Sequence, residues 1–365
     1  MLLLFVWIFF SSFHDITQYG YEQLQPILIN NVLVKPATSD SGLCEMKYCA
    51  VKTYLDRFER PFTMIDLGAN QGYYSLRAAY DFNESVFVMT EGTQIDQPML
   101  KKQLLSICHD NDQFDNLILL TEPLNSDNLR HLGECEHFDV ILAFSIFDQF
   151  KDNWKSALES ILSLGSLTFI DVPKITPITP NPLRQWIVNL ENFLEEYSAI
   201  SVKTNHADDQ VKLFLIERKK RYLKRKSWIL PKMDEHSHRI YSSFTIKKLV
   251  KKAKDMLGKE TQSIWHPGIN LITYKMLNAQ YPTHNRIKDQ IYSLRSFPHG
   301  DWMINNMVVQ GNYIKFIDIY DPRRGDPREV KPGIYCSDIR LKQHYQIIDL
   351  EDKLEIARRL RAGLD

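Results

Sequence analysis

The sequence predicts an α/β protein: a doubly wound, mostly parallel sheet closed by a terminal antiparallel hairpin, followed by a smaller α+β domain. Three observations carry that expectation. Short β-branched or aromatic runs alternate with helical stretches from residue 62 onward, the pattern of βαβ units. Two extended runs then follow each other with no helix between them. The composition changes abruptly at Lys219, where KKRYLKRK (219–226) places six basic residues in eight.

Taken in order, residues 1–43 form an extension expected to be apolar and helical. It opens with Leu2–Phe10, LLLFVWIFF. That run is too short to span a bilayer, which takes about 20 apolar residues. It also lacks the basic flank and small-residue cleavage site of a secretory signal. A buried segment or an anchor at a membrane surface is expected instead. FTMIDL (62–67) is the first strand of the sheet and YYSLRAAYDF (73–82) the helix after it. VFVMTEG (86–92) is the second strand, followed by the helical IDQPMLKKQLLSIC (95–108), and LILLTEP (117–123) is the third. FDVILAF (138–144), the helix WKSALESILS (154–163) and SLTFIDVP (166–173) supply the fourth and fifth strands and the crossover between them. After a helix over Leu183–Glu196, AISVKT (199–204) and KLFLIER (212–218) form the closing hairpin. The result is a Rossmann-like domain over 44–218. A basic linker, 219–244, separates it from a second domain, 245–365. There Ile246, Leu249, Val250, Ala253 and Leu257 mark one face of an amphipathic helix ended by Gly258.

Of the 365 residues, 44% are hydrophobic, enough for a sizeable core. Basic and acidic residues number 45 each, so no overall field draws the chain to nucleic acid, which is not an expected partner. Cys44, Cys49, Cys108, Cys135 and Cys336 show neither a CxxC pair nor zinc spacing, and read as reduced thiols of a cytoplasmic protein.

In an open parallel sheet the ligand lies beyond the carboxyl ends of the strands, where the strand order reverses. The first strand-to-helix turn reads Asp66, Leu67, Gly68, Ala69, Asn70, Gln71, Gly72. This is a GxxxG loop and not the GxGxxG loop that holds a pyrophosphate. The segment MIDLGANQGYYS (64–75) resembles motif I of class I S-adenosylmethionine (SAM) dependent methyltransferases. The resemblance covers residues 44–218 and implies SAM as cofactor, with Asp66, Gly68, Ala69, Asn70, Gly72 and Tyr73 around it. It further implies that Glu91, ending the second strand, accepts hydrogen bonds from both ribose hydroxyls. Leu124, within Pro123–Asn125, would border the adenine, and Phe144 and Ser145 would border the sulfonium. For Asp66 the alternative is a cap on the following helix, and Tyr73 can equally serve the core. For a hydroxyl acceptor a base is needed; Asp148, His137 and Asp171, near strand ends, are the candidates.

Pro298–Asp321, PHGDWMINNMVVQGNYIKFIDIYD, resembles the catalytic segment of the aminoglycoside and sugar kinase branch of the protein-kinase-like superfamily. That resemblance makes Asp301 the base, Asn306 and Asp318 ligands of Mg²⁺ with ATP, and His299 a brace. Residues 219–298 contain only Gly258 and Gly268 and no Gly-rich loop, so a degenerate lobe is the other reading. A methyltransferase followed by a kinase-like domain resembles the bifunctional chain terminators of bacterial O-antigen synthesis, which act on lipid-linked glycan at the inner membrane. The expected function is methyl transfer to a hydroxyl or phosphate of a small-molecule or glycan acceptor, in the cytoplasm or in association with the inner face of the membrane. Alternatives are a bifunctional methyltransferase/kinase, a non-catalytic SAM-binding scaffold, and an RNA methyltransferase using KKRYLKRK and KKLVKKAK as phosphate contacts. The last lacks the NPPY-type motif of base N-methyltransferases, since the chain reads AFSIFDQF after the fourth strand.

Overall fold

The computed structural model describes residues 25–37, 41–92, 98–125, 128–129, 132–133, 136–147, 150, 153–175, 179, 181–202, 211–218, 267–293 and 307–316. Within the stretch expected to be helical, β1 (Ile27–Ile29) and β2 (Val32–Lys35) form an antiparallel hairpin. Asn30 and Asn31 turn it with φ of 54° and 61°, the left-handed conformation that asparagine tolerates, and the β-branched flanks favour strands over a helix. Helix α1 (Ser41–Leu55) follows.

The domain then alternates as expected: β3 (Thr63–Leu67), α2 (Tyr73–Asp81), β4 (Val86–Thr90), α3 (Pro98–Asp110), β5 (Leu117–Leu120), β6 (Phe138–Ala143), α4 (Trp154–Ser163), β7 (Gly165–Pro173), α5 (Asn181–Glu196), β8 (Ile200–Val202) and β9 (Val211–Glu217). Every residue of β3, β4, β5 and β6 is buried, which is why these strands read as predominantly apolar runs and not as alternating ones. Beyond residue 266 lie β10 (Ile269–Asn270), α6 (Leu271–Met276), β11 (Ala279–Tyr281), α7 (His284–Ser293), β12 (Met307–Gln310) and β13 (Tyr313–Phe316).

The central sheet has eight strands in the order β11-β5-β4-β3-β6-β7-β9-β8. β3 pairs in parallel with β4 on one side (Thr63↔Val86 to Leu67↔Thr90) and with β6 on the other (Met64↔Val140). The winding direction reverses between β3 and β6, so their carboxyl ends define the switch point. β9 runs antiparallel to β7 and inserts between it and β8, giving the expected closing hairpin. One face of the sheet is covered by α1, α2, α3 and β1, through Tyr48, Tyr73, Leu104 and Ile27 among others. The opposite face is covered by α4 and α5 together with residues from beyond 266, including Trp154, Leu190, Tyr274, Ile287 and Val309.

The C-terminal region is thus built onto the sheet. β11 pairs antiparallel with β5 (Ala279↔Leu120, Tyr281↔Leu119), and β12 joins β10 and β13 in a separate three-stranded sheet. The hairpin between β12 and β13 falls within the stretch that resembles a kinase segment. It meets Asp115, two residues ahead of β5: Asn312 N–H, in the turn, donates to Asp115 O (2.7 Å) and Tyr313 O–H, at the start of β13, to Asp115 Oδ2 (3.1 Å). The linker 219–244 and the helix expected over 245–257 lie outside the described residues. Among the described residues, no helix is long and apolar enough to cross a membrane.

Candidate functional site

The turn after β3 is held in a shape that most side chains would resist. Gly68, Asn70 and Gly72 have φ of 68°, 54° and 77°; glycine adopts this region freely and asparagine better than most. Backbone bonds fix it: Ala69 N–H donates to Thr90 O (2.9 Å) and Gly72 N–H to Ala69 O (2.8 Å). A Cβ on Gly72 would come within 2.9 Å of Leu104 Cδ1 and 3.1 Å of Met89 Sδ, so this glycine lets α2 pack on the sheet. A Cβ on Gly68 would come within 2.9 Å of Ile146 Cγ2, in the loop after β6. Gly68 therefore keeps the two diverging strand ends close together.

Three polar side chains converge on this turn. Glu91, just beyond β4, accepts the Asn70 N–H on Oε2 (2.8 Å). Burial pushes its carboxyl up to about 7, the Asn70 donor pulls it down, and the nearby Asp66 pushes it up. Asp66, 2% exposed on β3, accepts the Ser75 hydroxyl (3.1 Å); burial pushes it to about 7 against that bond. Asp66 thus reaches a side chain in the first turn of α2 but does not cap that helix, whose N-cap residue is Gly72 with no side-chain cap bond. The Asn70 Oδ1 atom is buried and has no hydrogen-bond partner among the described residues. A buried acceptor left unmade costs about 1–3 kcal/mol, so a donor placed in this turn would gain by meeting it.

On the β5 side, Glu91 N–H donates to Leu120 O (3.0 Å), and Gly92 lies so near Pro123 that a Cβ would stand 2.2 Å from its Cα. Leu124 is half-buried in the loop that follows. On the β6 side, Phe144 is buried, and Ser145 is exposed with φ of 51°. Asp171, near the carboxyl end of β7, anchors Ser145: it accepts the backbone N–H on Oδ1 (2.6 Å) and the hydroxyl on Oδ2 (3.2 Å). Lys47 of α1 completes the group with a buried ion pair to Asp171 Oδ2 (2.5 Å), its ammonium 5.4 Å from the Phe144 ring centroid. Lys47 was not anticipated, because a single lysine within a helix carries no signal of a partner so distant in sequence.

Tyr73 begins α2, where its N–H donates to the Gln25 side chain (3.1 Å) and its hydroxyl to Glu45. Gln25 N–H in turn donates to Gln71 Oε1 (3.0 Å), so the N-terminal extension ties into the same turn. Asp66, Gly68, Ala69, Asn70, Gly72, Tyr73, Glu91, Leu124, Phe144 and Ser145 thus all lie along the carboxyl edge of the sheet. His137 does not: it precedes β6 at the amino edge, bonded to Ser166 Oγ (2.9 Å). Asp171 is on the correct edge but is occupied as an anchor. Asp148, His299, Asp301, Asn306 and Asp318 lie outside the described residues.

No family model matches the sequence, and no curated protein matches it. Among solved structures, the chain is similar to an O-methyltransferase family protein from Burkholderia thailandensis (12% identity, TM-score 0.34), over 48% of this chain and 58% of that one. It is also similar to the bifunctional kinase-methyltransferase WbdD, at 14% identity and TM-score 0.41, over 84% of this chain and 81% of that one. A SAM-dependent methyltransferase from Aquifex aeolicus aligns at 14% identity and TM-score 0.34, over 46% of this chain and 87% of that one. The chain spans under two thirds of the first of these proteins. Likeness at this level assigns no chemistry, which has to come from the site itself.

Proposed function

We propose that the chain is a SAM-dependent methyltransferase that methylates a hydroxyl or phosphate of a small-molecule or glycan acceptor. The observation that carries the reading is the turn at the switch point, where Asn70 Oδ1 is a buried acceptor in want of a donor and Glu91 is locked beside it. The residues fit the cofactor. Backbone at Gly68 and Ala69 allows close approach without a phosphate cradle, Glu91 and Asn70 offer acceptors to ribose hydroxyls or to an amino group, and Leu124 offers an apolar wall to the adenine. When bound, SAM supplies a methyl group on a sulfonium, open to in-line displacement by the acceptor. The protein's part is positioning. Lys47 and Asp171 fix Ser145, and through it the loop bordering the acceptor side. The apolar run at 2–10 supports a place at the inner face of the membrane, where a lipid-linked glycan is an available acceptor.

Calorimetric titration with SAM tests the reading. The wild type should bind, and Gly68→Val and Glu91→Ala should each weaken binding at least tenfold, roughly the worth of one charged hydrogen bond, in variants whose unfolding transitions show them folded. A wild type that does not bind SAM, or variants that bind as it does, would overturn it. Methyl-labelled SAM incubated with lipid, glycan and RNA fractions then identifies the acceptor, and label confined to RNA would exclude the glycan class.

A further inference from the structure

The C-terminal region reaches the cofactor edge at Thr121, the first residue beyond β5. Thr121 N–H donates to Leu277 O (3.2 Å), and its hydroxyl donates to Asn278 O (2.8 Å). Both carbonyls belong to the turn between α6 and β11, where Asn278 takes a φ of 48°. Thr121 is buried, at 3% exposure. Its neighbour Leu120 accepts the Glu91 N–H on one side, and the loop containing Pro123 and Leu124 begins on the other.

We propose that Thr121 and Asn278 are positioning residues of the cofactor site, through which the C-terminal region sets the place of Glu91 and of the loop at 122–125. The proposal rests on the methyltransferase reading. Residues 122–125 follow Thr121 directly in the chain, so its placement is passed on to them. Freed from Leu277 and Asn278, Thr121 would bury an unmet hydroxyl or move to find water, and either outcome displaces the loop. The coupling must be reciprocal: if docking of β11 strengthens SAM binding, SAM strengthens the docking of β11 by the same factor. The C-terminal region is then a part of the methyltransferase whether or not it has chemistry of its own.

The experiment uses the full chain and SAM itself. Thr121→Val keeps the β-branched shape and removes the hydroxyl donor; Thr121→Ser keeps the donor. Asp115→Ala serves as the contrast, since it removes the side-chain hydrogen bonds that Asn312 Nδ2 and the Tyr313 hydroxyl of the same C-terminal region make near the opposite end of β5, while leaving the backbone bond from Asn312 N–H. The expected result is about a three- to tenfold loss of SAM affinity for Thr121→Val, the effect of one hydrogen bond. Thr121→Ser and Asp115→Ala should bind as the wild type does. In the wild type, SAM should slow amide exchange at residues 277–281, far along the chain from the turn at Gly68. Equal losses in Thr121→Val and Asp115→Ala would reduce the effect to general loosening and overturn the proposal. So would an unchanged Thr121→Val, or, should that variant fail to fold, unchanged exchange at 277–281. A wild type that does not bind SAM overturns the methyltransferase reading instead, which keeps the two failures apart.

Discussion

Asp66 and Glu91 stand in the candidate site with carboxyls raised by burial to about 7, from ordinary values of 3.8 and 4.5. Between those limits the folded chain holds protons that the unfolded chain has released. The stability these groups contribute is therefore complete below about pH 4 and lost as pH rises through 7. Ligand binding should run the other way, because the role proposed for Glu91, accepting ribose hydroxyls, is best filled by the carboxylate. From pH 6 to pH 8 the melting temperature of the ligand-free protein should fall, while the additional rise on saturation with SAM should grow. Glu91→Gln, which cannot ionise, should remove most of the pH dependence of the SAM-induced rise. Thermal scans with and without SAM at a series of pH values check this, and a rise that shrinks toward pH 8 would contradict it. The turn at Gly68, Asn70 and Gly72 was legible because a left-handed conformation selects those residue types. The bond from Ser75 to Asp66 could be traced only with the helix in place.

The strands that the sequence made plain are those buried on both faces, where most positions are apolar. β11 was not legible: Ala279, Gln280 and Tyr281 are too few to show a period, and their partner β5 lies far back in the chain. The β1–β2 hairpin had a local signal in Asn30 and Asn31, overshadowed by the longer apolar run ahead of it. Gly311 shows what such turns demand. With φ of 69° and a virtual Cβ 1.9 Å from Asp115 O, it admits no side chain without moving β5 or the hairpin. Gly311→Ala should cost more than the ~1 kcal/mol usual for alanine in a left-handed position, about 2–4 kcal/mol in all. Urea unfolding followed by circular dichroism measures it; a cost below ~1 kcal/mol would mean that the hairpin shifts freely.

At the scale of the molecule, the domain and the region after it share one core. Ile269, Leu271, Tyr274, Leu277, Ile287 and Val309 lie in the same apolar cluster as Leu129, Leu132 and Trp154. A chain cut after Arg218 would keep every residue of the turn after β3 yet bare that cluster and the outer edge of β5. It should be recovered mainly as aggregate, or melt well below the full chain. A truncated chain as soluble and as stable as the intact one would show that the shared cluster contributes little. Thr121 and Asn278 stand 157 residues apart in sequence. At roughly 5–20 residues per second, a ribosome needs about 8–30 s to pass from one to the other. During that interval β5 is synthesised and the strand that will cover its edge is not. A nascent chain thus carries an open strand for far longer than a hairpin takes to close, and the yield of active protein should depend on how fast that stretch is translated and on what shields it meanwhile.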